Sequence, residues 1–441
     1  MIFSAPRFVV VDDKEQHLLA ITQAFQQLGS PCLGIHYDPA EDLNRDHFRS
    51  VRCLFFDLHL MDGLAGTDHR RHYALIASIL EENISPRGGP FILVVWTEHA
   101  HLKNELQEYL EANLDPTKLY TRPLAVLSLA KEEFIHTDTG TVKDSIDIRN
   151  AIRHTVLSNA QLAVLLGWES DVQGAAGDTM ASLLNLIPIT QRTSASFSGA
   201  LDKILSRLAR EAVGPKNVEL DHRAAINNAL APILIDRIMN QRVEEHPNEL
   251  WKKAVTLYED ESSADADEAG PINWMLHLAT PDSEKIRPTD WGAVVAWPFG
   301  WTDNVLSRWT GLTIQEMLCD EFKLKTDAKY NPVLVRIGAA CDYAQNKKGP
   351  ITYLFALEVL EEYKQKNKTP DSIWKSPTFV NPTSSQVFRL NVHVRFPITC
   401  IRKSHCRWTS RYRLREQLLM NLITSASNYM SRPGIVQLPV R

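Results

Sequence analysis

Short apolar runs, each closed by a polar residue, recur through the first third of the chain. Pro6–Val11 leads into Asp12 and Asp13, Arg52–Phe56 into Asp57, Phe91–Trp96 into Thr97, and Lys118–Thr121 into Arg122 and Pro123. Runs without polar alternation predict strands buried on both faces, as in a parallel sheet. Between them the apolar positions recur every three or four residues. Leu18, Ile21, Phe25 and Leu28 precede a stop at Gly29, and Thr67–Glu82 and Leu102–Leu114 follow the same helical spacing. Cys32–Ile35 adds a short strand. This alternation predicts a doubly wound α/β sheet. Ligands of such sheets gather beyond the carboxyl ends of the strands, where Asp57 falls.

From about Asp144 the pattern is helical alone: Ile146–Leu166, Asp171–Ile187, Ala200–Ala212 and Arg223–Gln241, with Pro232 expected to delay, kink or break the last. These stripes suit an internal bundle or a dimer interface. Glu259–Pro271 is acidic and rich in Ser and Ala, which predicts a mobile linker. It lacks the spacing of a calcium-binding loop. Beyond it the chain turns strand-like at Asp290–Trp297, Pro332–Ala340, Ile351–Val359 and Ser385–Arg395, with helices at Leu306–Leu318 and Arg413–Met430. The expected division is residues 1–138 as an α/β domain, 139–245 as a helical region, 246–271 as the acidic linker region, and 272–441 as a mixed α+β, barrel-like module.

The strand tips Asp12-Asp13, Asp57, Thr97 and Arg122-Pro123 together resemble the receiver domain of bacterial two-component response regulators. The resemblance covers roughly residues 5–135. It implies that Asp57 accepts a phosphoryl group from a histidine kinase or phosphotransfer protein. It further implies that Asp12, Asp13, Asp57 and the His59 backbone carbonyl hold Mg²⁺, that Thr97 and Arg122 bind the phosphoryl oxygens, and that Tyr120 is a switch aromatic. A carboxylate meets phosphorus poorly while both are anionic, so a hard cation between them fits the chemistry. Two positions depart from the family: Arg122 stands where it has lysine, and Met61 where it usually has proline. A receiver fold kept as a scaffold, a degenerate pseudo-receiver, is the alternative.

Composition narrows the setting. The 441-residue chain has length for two or three domains, and its net charge of −5 gives no global nucleic-acid or membrane signal. Scattered cysteines and the lack of a leader or membrane-length apolar run lead us to expect a reduced, cytoplasmic protein. Three features of the last third bear on chemistry. Cys341, Asp342 and Gln345 follow an apolar strand, with His393 and His405 as candidate bases for the thiol; packing and turn chemistry is the plainer reading. Cys400, His405 and Cys406 do not complete a zinc motif. Arg402, Lys403, Arg407, Trp408, Arg411, Arg413 and Arg415 form a basic, aromatic-bearing run. It suits an anionic partner, nucleic acid included, or a solvated face that satisfies the acidic linker. These residues support a rival, an effector enzyme directed at nucleic acid in a stress or phage-defence setting. His99 and His101, just past Thr97, read as solvated loop histidines, with metal binding as the sharper option.

Overall fold

The computed structural model describes residues 5–60, 69–86, 88–240, 248–256, 266–281, 284–360, 369–401 and 408–432. The chain forms two compact units, Met1–Asp178 with Arg237–Glu259, and Thr179–Asp236 with Asp260–Arg441. The expected class holds: a parallel α/β sheet, a helical middle and a C-terminal antiparallel sheet with helices.

The first unit carries β1 (Phe8–Asp12), α1 (Glu15–Gln27), β2 (Cys32–His36), β3 (Cys53–Phe56), α2 (Arg70–Asn83), β4 (Ile92–Thr97), α3 (Lys103–Asn113) and β5 (Val126–Ala130). The sheet is five-stranded, ordered β2-β1-β3-β4-β5, and every pairing is parallel. Successive residues of each strand face opposite sides, which explains the uninterrupted apolar runs. Val9, Val11, Leu54, Phe56, Leu93 and Val95 pack with Tyr73, Ile76 and Leu106 of α2 and α3. Val10, Phe55, Val94 and Trp96 pack with Ile21 and Phe25 of α1 on the other face. Both faces are thus covered, and the polar strand tips lie along one edge.

The fifth strand corrects the sequence reading. Leu119–Thr121 is a turn of 3₁₀-helix holding Tyr120, and the strand is Val126–Ala130, ending at Lys131. Arg122 therefore precedes β5, at the edge where the strands begin. Its guanidinium donates to the carbonyls of Glu111 (3.2 Å) and Leu114 (2.9 Å) at the end of α3, a helix C-terminal cap rather than a strand-tip cation.

After β5 come α4 (Lys131–Phe134), a small hairpin of β6 (Ile135–His136) and β7 (Thr141–Val142), α5 (Ser145–Ser158) and α6 (Ala160–Asn185). The break lies at Asn159, not near Asp171, because the Asn159 side chain accepts from the Leu162 amide at 2.9 Å and caps α6. Then follow α7 (Phe197–Val213), α8 (Pro215–Val218), α9 (His222–Asn240) and α10 (Asn248–Ala254). The α9 helix runs through Pro232 unbroken.

The C-terminal sheet is built from β8 (Leu278–Ala279), β9 (Ala293–Ala296), β10 (Tyr330–Arg336), β11 (Ile351–Leu360), β12 (Ile373–Val380), β13 (Val387–Cys400) and β14 (Ser410–Leu414). Its order is β12-β13-β11-β10-β9-β14-β8, seven strands in an open row, not a closed barrel. It is joined by α11 (Ala266–His277), α12 (Asp303–Thr310), α13 (Ala340–Ala344) and α14 (Glu416–Met430). One face packs Leu418, Leu419 and Leu422 of α14, and the other packs Leu306, Met317 and Phe322.

The expected acidic linker ends earlier than its composition suggests. Residues 257–265 lie outside the described residues, but Asp267–Pro271 belong to α11. That helix is held by packing: Trp274 meets Phe388 and Tyr412, and a Cβ on Gly270 would clash with Val380, so glycine permits the close approach. Among the described residues no helix is long and apolar enough to cross a membrane.

Candidate functional site

The tips of β1, β3 and β5 converge on one cluster. Asp12 closes β1 and is fully buried, Asp57 follows β3, and Lys131 follows β5 with 2% of its surface exposed. The Lys131 ammonium lies 2.7 Å from Asp12 Oδ2 and 2.7 Å from Asp57 Oδ2, bridging the two carboxylates. The Lys14 amide donates to Asp12 Oδ1 at 2.9 Å, and the His59 amide approaches Asp57 Oδ1 at 3.4 Å. One oxygen each of Asp12, Asp13 and Asp57 lies within 4.8 Å of the others, the single such metal-competent group among the described residues. Thr97, at the tip of β4, is buried and accepts the His99 amide at 3.2 Å.

Lys131 is the buried ammonium shared by Asp12 and Asp57, and the adjoining His17 is pushed down from its ordinary value by burial and by Lys131, which keeps its ring neutral. Its Nε2 bonds the Thr137 carbonyl at 3.0 Å, while Nδ1 stands 3.8 Å from Asp12. Burial raises the Asp12 carboxyl to about 7; Lys131 opposes the rise and Asp57 adds to it. Burial alone would lower Lys131, but Asp57 and Asp12 outweigh it and the net shift is upward. Three carboxylates that bring hard oxygen donors together suit a divalent cation bound through oxygen. The residues present therefore fit a metal ion.

A pH dependence follows. The Asp12 carboxyl ionises in the unfolded chain near its ordinary 3.8 and in the folded chain near 7, so between those values the native state holds the extra proton. Stability of the chelated protein should fall as pH rises through that window. Mg²⁺ should restore it increasingly towards pH 8, where the carboxylate is ionised. Thermal unfolding in EDTA and in Mg²⁺ measures both trends, and Asp12→Asn should flatten the first.

No family model, no curated protein and no solved structure matches the chain. The five-stranded parallel sheet with its acidic cluster is compatible with a receiver domain.

The other sequence candidates meet different surroundings. Cys341 and Asp342 are exposed on α13; the thiol touches Asp342 at 3.6 Å, and Asp342 pairs with Lys347 at 2.6 Å. The Gln345 carbonyl accepts from the Asn217 amide group. His393 is fully buried and engaged by Glu321 at 2.7 Å and by the Arg395 amide, while His405 lies outside the described residues. Of the basic run, Arg402, Lys403 and Arg407 lie outside them too, with Cys406. Trp408 packs against Tyr353 and Phe299. Arg411 pairs with Glu358 at 2.8 Å, and Arg413 and Arg415 pair with Glu284 at 2.7 and 3.4 Å. The described arginines are thus matched by carboxylates of their own unit.

Sequence reasoning missed Lys131, although Ala125–Ala130 is an apolar run ended by a charged residue, the same signature as the other strands. It also left apart several histidines that the fold brings together. His59 lies with its ring centre 4.5 Å from that of His72, 4.6 Å from His99 and 5.4 Å from His69. Burial and the neighbouring His72 and His99 push His59 down to about 4.

Proposed function

We propose that residues 1–138 act as a receiver that accepts a phosphoryl group on Asp57 and passes the resulting change to the remainder of the chain as an atypical response regulator. The bridge of Lys131 between buried Asp12 and Asp57, beside Asp13, is the observation that carries the reading. It supplies a strand-tip lysine in the role first given to Arg122.

An oxygen of Asp57 forms the new bond to phosphorus as the P–N bond of a phosphohistidine donor breaks, and the freed imidazole takes up a proton. Lys131 holds one Asp57 oxygen, orienting the carboxylate and leaving the other for phosphorus. Thr97 is assigned to a phosphoryl oxygen. Asp12, Asp13, Asp57 and the His59 carbonyl would hold Mg²⁺, which would supply neutralisation of the anionic charge. The donor is a cytoplasmic histidine kinase or phosphotransfer protein, and a protein partner or second copy of the chain reads the change through the C-terminal module. Arginines already matched by Glu284 and Glu358 weigh against a nucleic-acid surface there.

Acetyl phosphate or beryllofluoride with Mg²⁺ should give an intact-mass adduct on wild type and none on Asp57→Asn. Thr97→Ala should slow acetyl-phosphate labelling about tenfold or more, because a hydrogen bond to the developing charge is lost. No adduct on wild type, while a control receiver labels in parallel, would favour the scaffold reading in which Lys131 merely satisfies the carboxylates.

A further inference from the structure

We infer that His59, His69, His72 and His99 form a second metal site, for a divalent transition ion of the zinc, cobalt or nickel class, separate from the carboxylate cluster. The residues come from three places: the loop after β3, the start of α2, and the loop after β4. His59 is the hub, in ring contact with the other members. Its Nε2 lies 3.2 Å from His69 Nδ1. His72 is 3% exposed, and its Nδ1 has no hydrogen-bond partner among the described residues. A buried, unsatisfied ring nitrogen inside a group of imidazoles calls for a partner, and a metal ion supplies one.

The spacing supports the assignment. A zinc–imidazole bond is about 2.0–2.1 Å, and the ring centre lies roughly an ångström beyond the nitrogen, so two imidazoles on one tetrahedral ion have centres about 5 Å apart. The separations of 4.5, 4.6 and 5.4 Å around His59 lie near that value, while His69 and His99 stand wider apart at 6.4 Å. Three imidazole nitrogens do not converge as the rings now stand, since only the carboxylate group meets within 4.8 Å among the described residues. Half-buried His69 and exposed His99 have room to turn towards His59 and His72. Donor type separates the two sites: carboxylate oxygens take hard Mg²⁺, and imidazoles take the borderline ions.

The test is a Co²⁺ titration of tag-free, full-length protein in excess Mg²⁺, read by visible absorption. Wild type should show the intense bands of a tetrahedral ion with stoichiometric endpoint, and Zn²⁺ should displace them. Asp57→Asn should keep the spectrum. His99→Gln, at an exposed position, should weaken binding by at least tenfold with an unchanged melting curve, and His72→Gln should do so as well. Absence of the spectrum in wild type would overturn the inference. So would a spectrum lost in Asp57→Asn or under Mg²⁺ but kept in His99→Gln, which would put the ion among the carboxylates. Neither result depends on whether Asp57 is phosphorylated.

Discussion

Lys131→Met should destabilise the chelated protein by about 3–5 kcal/mol, the usual cost of removing one partner from a buried ionic group. The lysine is enclosed, and its ammonium is the cation bridging Asp12 and Asp57 at 2.7 Å each. Without it the buried carboxylates repel, and Asp12 must take up a proton or the strand tips must part. A divalent ion brings charge to the same oxygens, so Mg²⁺ should restore more stability to Lys131→Met than it adds to wild type. Labelling of Asp57 should nonetheless collapse, because the ion does not replace the lysine's hold on the carboxylate. Arg122→Ala is the contrast. It removes a helix cap and should cost about 1 kcal/mol or less while leaving labelling intact. Urea titrations with EDTA or Mg²⁺, together with intact-mass labelling, separate the two variants. Equal behaviour of both would remove Lys131 from the site.

Arg411→Met should cost about 3 kcal/mol at pH 8 and clearly less at pH 5. Its partner Glu358 is 2% exposed in β11, held by Arg411 at 2.8 Å and by Asn331 at 3.2 Å. Burial raises the Glu358 carboxyl above its ordinary range, with Arg411 opposing the rise. Removing Arg411 leaves that opposition out, so the carboxyl is stranded as a buried anion at high pH and is discharged by protonation at low pH. A folded value above the unfolded one means that stability falls as pH rises between them, and the variant widens that window. Glu358→Leu should cost far less than Arg411→Met, since Arg411 can turn to water. Chemical denaturation at the two pH values reads the asymmetry. An Arg411→Met cost independent of pH would mean that Glu358 is not the group being stranded.

Much of the first unit is legible in the chain itself. Apolar runs closed by Asp12, Asp57 and Thr97 can bury both faces only in a covered parallel sheet, and that arrangement sets the three tips along one edge. Periodicity passed over the helix limit at Asn159, whose side chain caps α6. The fifth strand had two candidates with the same signature. Lys118–Thr121 is β-prone and closed by Arg122-Pro123, while Val126–Ala130 carries Ser128 and is closed by Lys131; pairing of Leu93–Thr97 with Val126–Ala130 selects the second. That pairing moves the strand-tip cation from Arg122 to Lys131. Likewise, Asp267–Pro271 looks like linker by composition and becomes helix because Trp274 finds a hydrophobic surface. His59, His72 and His99 carry no common spacing and meet only because the loops after β3 and β4 and the first turn of α2 come together at one edge of the sheet. Periodicity thus determined which stretches are strands and helices over most of the chain, since burial of an apolar face is a local demand. Which charges and rings meet was decided by the tertiary structure, because pairing register and loop path depend on contacts far apart in sequence.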